Sequence, residues 1–219
     1  MTSRPSVPAQ PDPADSLLLA PPGAPDGADP AGGALARFRW APADVGRAAG
    51  LLAIPAAWTV AGPVSASVMF LVFGGQWALR YYSRGTFADV FGQLLLLGSG
   101  WSSVVGAYAT VPGLDLAAHF ATTVVLTSLA WDMLAHHRLV APAPAGRRRL
   151  RAGAVLSATA VGTLLGVLWE VGEWVGYEFL SPEIGVGYRD TIGDLAAAVA
   201  GALVGAVAST RPRRAGAGT

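Results

Sequence analysis

The stretch RAAGLLAIPAAWTVAGPVSASVMFLVFGGQWALR, from Arg47 to Arg80, holds no ionisable residue between its two arginines. As one helix it would extend about 48 Å at 1.5 Å per residue, well past a hydrocarbon core of about 30 Å. Gly62 and Pro63 supply a turn near its middle, so it reads as two spans, over about 44–61 and 64–81. Charge placement favours the same division. With two spans here, Arg37, Arg39 and Arg47, then Arg80 and Arg84, then Arg138, Arg147, Arg148, Arg149 and Arg151, then Arg211, Arg213 and Arg214 all fall on one side, and only Arg189 on the other. A single span would carry Arg37, Arg39 and Arg47 across. Arg47 itself is expected to snorkel to the interface.

The rest of the chain divides at its polar breaks into a third span over about 87–109, a fourth over 115–136, a fifth over 152–177 and a sixth over 191–210, with Pro112 and Gly113 separating the third from the fourth. Hydrophobic residues make up 53% of the chain and charged residues 13%, about half the charged share of a soluble domain. The expected fold is therefore all-α: a polytopic transmembrane helix bundle of about six spans with both termini in the cytoplasm. Residues 1–43 hold nine of the sixteen prolines and show no periodicity, which makes them a disordered cytoplasmic tail rich in Pro, Ala and Gly. Its one apolar run, Leu17 to Ala20, is too short for a signal-peptide core. Residues 44–210 form the transmembrane domain, and 211–219 a basic cytoplasmic tail.

The net charge of +1 gives no basis for binding nucleic acid, and the bilayer is the expected partner. The absence of Cys removes disulfides, thiolate metal sites and Cys nucleophiles. Small residues at four-residue spacing, Gly162 with Gly166, Gly172 with Gly176, and Gly201 with Gly205, suit close packing of the fifth and sixth spans. Trp40, Trp131 and Trp174 read as interfacial anchors, and His136 and His137 as solvated interfacial groups.

Six ionisable residues stand toward the extracytoplasmic ends of three successive spans: Asp115 and His119, Glu170 and Glu173, Asp190 and Asp194. Spacings of three and four put each pair on one helical face, so three helices can aim carboxylates and an imidazole at one cavity. An acid inside a span costs roughly 2.5–3.5 kcal/mol at the bilayer centre and less near its edge. A divalent cation held by His119, Glu170, Glu173 and Asp194, a shared proton, Arg189 or a polar lipid headgroup would offset that cost. Simpler roles compete: Asp115 as a cap of the fourth helix, Thr191 with Asp194 as a capping box for the sixth, and His119 as a satisfied structural histidine.

The segments Asp115-Leu-Ala-Ala-His119, Trp169-Glu-Val-Gly-Glu-Trp174 and Asp190-Thr-Ile-Gly-Asp194, followed by Gly201, resemble the uncharacterised YjdF-like inner-membrane family in order and spacing. The likeness covers about the last 135 residues. It implies the cytoplasmic membrane of a bacterium and lends no activity. A fainter similarity links the chain to the VanZ-like family associated with glycopeptide tolerance. That family's Glu-x-x-Gln and its Asn after the last Asp are missing, with Glu173 and Ala198 in their neighbourhood. The proline-rich tail has no place in either pattern.

Three functional classes follow. The first is a membrane protein whose outer-side cavity binds a divalent cation or polar lipid headgroup, with enzyme activity left open for want of a nucleophile motif. The second is a proton- or ion-coupled transporter using the same acids as a relay. The third is a scaffold whose polar cluster locks helices together. The topology beneath all three is testable, because any introduced thiol is unique. Cys replacing Ser181 is expected to react with an impermeant maleimide in intact cells, and Cys replacing Ala145 only after permeabilisation. The reverse pattern would invert the orientation.

Overall fold

The computed structural model describes residues 40–83, 86–141, 146–181, 184 and 186–211. The tail expected over 1–43 lies outside them up to residue 39, as do residues 212–219 of the basic C-terminal tail. All regular structure among the described residues is helical. Ala43–Ser83 is broken at Ala61 (φ −140°) and Gly62 (φ 81°, ψ −171°) into α1 (43–60) and α2 (63–83). Then come α3 (Phe87–Val104), a single turn α4 (Ala107–Thr110), α5 (Leu114–His136), α6 (Arg148–Phe179) and α7 (Tyr188–Ser209).

The break sits where the sequence demands a turn. Gly62 takes a positive φ that a side chain would resist, and Pro63 lacks an N–H just where a new helix has no acceptor for one. The chain folds back on itself there: the Gln76 side-chain amide donates to Gly46 O at 3.1 Å, and Arg47 Nε donates to Gln76 O at 3.3 Å. Ala53 and Ala57 of α1 pack on Met69 of α2 and Val104 of α3. Thr86 caps α3, its hydroxyl accepting from Asp89 N at 3.2 Å.

Leu79 of α2, Leu96 of α3, and Val125 and Leu129 of α5 form the cluster that joins this hairpin group to the second group, α5 to α7. Within that second group small residues set the helix spacing. A Cβ at Gly166 would stand 2.8 Å from Ala198 Cβ, and one at Gly162 would strike the Thr127 hydroxyl. Gly201 and Gly205 seat α7 against α5 rather than α6, because a Cβ there would collide with the carbonyls of Phe120 and Val124. Gly176 approaches Ile184, whereas Gly172 has no neighbour within 4 Å and takes no part in packing.

Four segments are long and apolar enough to cross a membrane: Ala43–Ser83, Leu114–His136, Arg148–Phe179 and Tyr188–Ser209. Their outward faces carry large apolar side chains, among them Leu52, Phe70, Leu156 and Leu164, while Asp44, Arg47, Gln76, Asp89 and Asp194 are buried. That distribution suits hydrocarbon as the solvent.

Several sequence expectations are corrected. The third helix ends at Val104 instead of 109, because Gly106 turns left-handed (φ 68°). The caps of α5 and α7 are Gly113 and Gly187, with no side-chain cap bond, so neither Asp115 nor Thr191 with Asp194 is a cap. Asp115 and Asp190 lie in the first turns, where a carboxylate favours the helix dipole. Arg47 does not snorkel: it is 4% exposed and held by Asp44 and Asp89. Trp131 is no interfacial anchor either, since its ring is buried beside Ala158 and Ala206, whereas Trp174 is half exposed.

The glycine contacts give a graded test. Gly166→Leu and Gly201→Leu are expected to lower the thermal midpoint of the detergent-solubilised protein well below that of Gly74→Leu, since Gly74 has no neighbour within 4 Å. Equal shifts for all three would remove the packing role of the seam.

Candidate functional site

The N-terminal turns of α5 and α7 and the C-terminal part of α6 meet at the end of the helical body opposite the Arg147–Arg151 cluster. His119 stands at the centre. Its Nε2 lies 3.4 Å from Asp115 Oδ1 and 4.0 Å from Asp194 Oδ1, and its Nδ1 lies 3.6 Å from Glu170 Oε1. Glu173 completes a second group: donor atoms of His119, Glu170 and Glu173 lie within 4.8 Å of one another, as do those of Asp115, His119 and Asp194. His119 belongs to both groups, through one ring nitrogen each. Asp190 is exposed at the rim, and among the described residues no ion pair joins Arg189 to the cluster.

The depth of these groups follows from where the helices end. α6 runs to Phe179, which puts Glu170 and Glu173 about 14 and 9 Å from its end by helical rise, deeper than a helix ending near 177 would place them. Glu170 and Asp194 are 8% and 2% exposed, yet Glu170 Oε1 has no hydrogen-bond partner, since 3.6 Å to a ring nitrogen exceeds hydrogen-bond reach. Four carboxylates converge on one imidazole. Such an arrangement gathers hard oxygen donors and one imidazole within reach of a common point.

Beneath the cluster the helices close. Thr123 and Thr127 continue the His119 face of α5 at four-residue steps and are buried. Opposite them stand Gly166, Gly162, Ala198 and Ala202, packed at the contact distances given above. Thr127 Oγ1 is buried with no hydrogen-bond partner, wedged against Gly162.

One neighbour went unnoticed in the sequence. Tyr108, on the short α4, donates its hydroxyl to Ser99 O at 2.8 Å. Burial pushes its phenol up to about 12, and the charges of Asp115 and Glu173 add to that shift. A lone tyrosine near the end of an expected span carries no mark of such a place beforehand.

A second polar assembly, also missed, lies at the opposite end. Arg47 joins Asp44 at 2.5 Å and also bonds Asp89, while Arg80 bonds Asp44. Gln93 donates to Asp89 Oδ1 at 3.0 Å and to Gln76 O at 3.1 Å. Among the described residues two arginines meet two aspartates, and the network ties α1, α2 and α3 together. Its signal was present in Asp89 and Gln93, four apart inside an apolar run. Arg47→Met alone is expected to cost about 3–5 kcal/mol by removing the buried guanidinium that Asp44 and Asp89 share. Adding Asp89→Leu should recover part of the loss in detergent unfolding. Two small and additive losses would reduce the network to a surface pair.

No curated protein and no solved structure matches the chain. Residues 49–215, which include both polar assemblies apart from Asp44 and Arg47, match the model of a family described as predicted membrane protein (DUF2238). The match takes in most of the chain and all of α2 to α7, and the protein belongs to that family.

Proposed function

We propose that this is a six-span protein of the bacterial cytoplasmic membrane, both termini inside, whose outer-side cluster binds a divalent cation. The observation that carries the reading is the convergence of Asp115, Glu170, Glu173 and Asp194 on the two nitrogens of His119. Oxygen donors with one imidazole suit Mn²⁺, Zn²⁺ or Mg²⁺. Opposed ligands on such an ion stand about 4 Å apart, twice a bond of about 2.1 Å, so modest contraction of either group would close around it. A metal on one ring nitrogen leaves the other N–H to the remaining carboxylates, which fix the tautomer and ring orientation. The YjdF-like resemblance belongs with this reading through the same three motifs, and the fainter VanZ-like similarity through the His and Glu alone.

Chemically, a cation there would polarise a phosphate or ester oxygen of a lipid headgroup arriving from the outer leaflet, with an unliganded Glu as base. The packed Thr and Gly seam below favours this one-sided site over transport, since a relay needs polar or hydrated steps through the lower half.

Thermal unfolding in detergent, with and without Mg²⁺, Mn²⁺ or Zn²⁺, tests the site. Cation at about a hundredfold over Kd should stabilise the protein by about 2.7 kcal/mol, a rise of several degrees. Glu170→Gln should abolish most of that gain, and adding His119→Ala or Asp194→Asn should remove little more. Glu178→Gln, exposed near the end of α6, should leave it intact. Additive losses with no cation response would leave the cluster as an interhelical lock and put the scaffold reading in front.

A further inference from the structure

Between the Arg-bearing ends of α6 and α7 the surface opens into a groove of about 490 Å³, within the roughly 300–1,000 Å³ of ligand clefts. Val155 and Leu156 of α6 and Leu203 and Val207 of α7 form its walls, and Arg148 and Arg151 frame its end. Residues 148, 151, 155 and 156 share one face of α6 by helical spacing, so both guanidinium groups stand at the same end of one apolar trough. Among the described residues no carboxylate pairs with either. Arg47 and Arg80 at the same end both bond Asp44, and Arg47 also bonds Asp89. The protein supplies its own anion to the buried arginines and leaves these two open to one from outside.

We propose that this groove binds an anionic phospholipid of the cytoplasmic leaflet, with an acyl chain along Val155, Leu156, Leu203 and Val207 and the phosphate on Arg148 and Arg151. Leu156 is largely exposed and Leu203 half exposed, so the trough faces the hydrocarbon, and an acyl chain is what fills a trough there. The two guanidinium forks match phosphate oxygens in a bidentate way that a diffuse positive surface does not. A zwitterionic headgroup brings its own cation to compete with them, whereas an anionic one leaves its charge for the protein. Basic recesses between helices on the cytoplasmic side suit such headgroups. A soluble phosphate would satisfy the arginines and leave the trough unfilled. This site is separate from the outer cluster and does not depend on any metal there.

The experiment uses the full chain in detergent micelles carrying phosphatidylglycerol or phosphatidylcholine, with bound lipid measured by native mass spectrometry. Phosphatidylglycerol should be retained in preference. The double variant Arg148→Gln, Arg151→Gln should weaken its binding about thirtyfold, taking each arginine at its usual worth near an anionic surface. Leu203→Trp, which fills the trough and keeps every charge, should weaken it as well. Leu203 is half exposed, so this second variant stays informative if the arginine variant inserts poorly. Arg189→Gln, at the other end of the molecule, should change nothing, and millimolar inorganic phosphate should not displace the lipid. Equal retention of both lipids, an equal loss in Arg189→Gln, or displacement by phosphate with no effect of Leu203→Trp would each overturn the proposal.

Discussion

A polar group facing lipid has no water to bond, so every ionised side chain within the apolar body must find its partner inside the protein. That constraint orders the whole molecule. It inverts the arrangement of a soluble domain: leucines and phenylalanines lie outside, and Asp44, Arg47, Gln76, Asp89, Gln93, Glu170 and Asp194 lie within. The two polar assemblies sit at opposite ends because ionisable residues tolerate the ends of apolar helices better than their centres. Between them, among the described residues, hydroxyls, small residues and apolar side chains occupy the interior.

The two assemblies answer the constraint differently. At the Arg-bearing end, among the described residues, two cations meet two anions, and Gln76 and Gln93 add hydrogen bonds. At the other end, among the described residues, four carboxylates meet one imidazole. The first arrangement joins helices, and the cation binding proposed above concerns the second. The Gly and Ala seam gives the second its rigidity: with Phe120 O and Val124 O against Gly201 and Gly205, the α5 and α7 backbones cannot slide without collision, and His119 and Asp194 keep their spacing.

Much of this was legible in the sequence. The hairpin at Gly62 and Pro63 could be read because a helix of that length overshoots the bilayer, and the meeting of His119 with Glu170 and Asp194 because pairs at helical spacing on successive spans share an end. What escaped was tertiary. Nothing local says that Arg47 turns inward instead of toward the interface, since that depends on Asp89 arriving from another helix. Trp131 looked like an interfacial ring because its neighbours Ala158 and Ala206 are distant in sequence. Gly172 matched the spacing of its packing counterparts, but spacing does not say which face of α6 meets another helix. The end of the third helix was misjudged where Gly106, with its positive φ, resets the chain direction, whereas the break at Gly113 was legible.

The order in which the polar partners leave the ribosome differs between the two ends. Every side chain that neutralises Arg47 precedes residue 90, and Gln93 follows at once, so α1, α2 and α3 can complete their network while the rest of the chain is still being made. His119 enters the membrane with Asp115 alone and waits for Glu170 and then Asp194, the latter on the last helix. The network of α1, α2 and α3 thus draws on residues whose helices follow one another directly, whereas the cluster around His119 is assembled from α5, α6 and α7 across 80 residues of chain, from Asp115 to Asp194. A chain truncated before α7 would keep every partner of Arg47 and lose Asp194 from the cluster around His119.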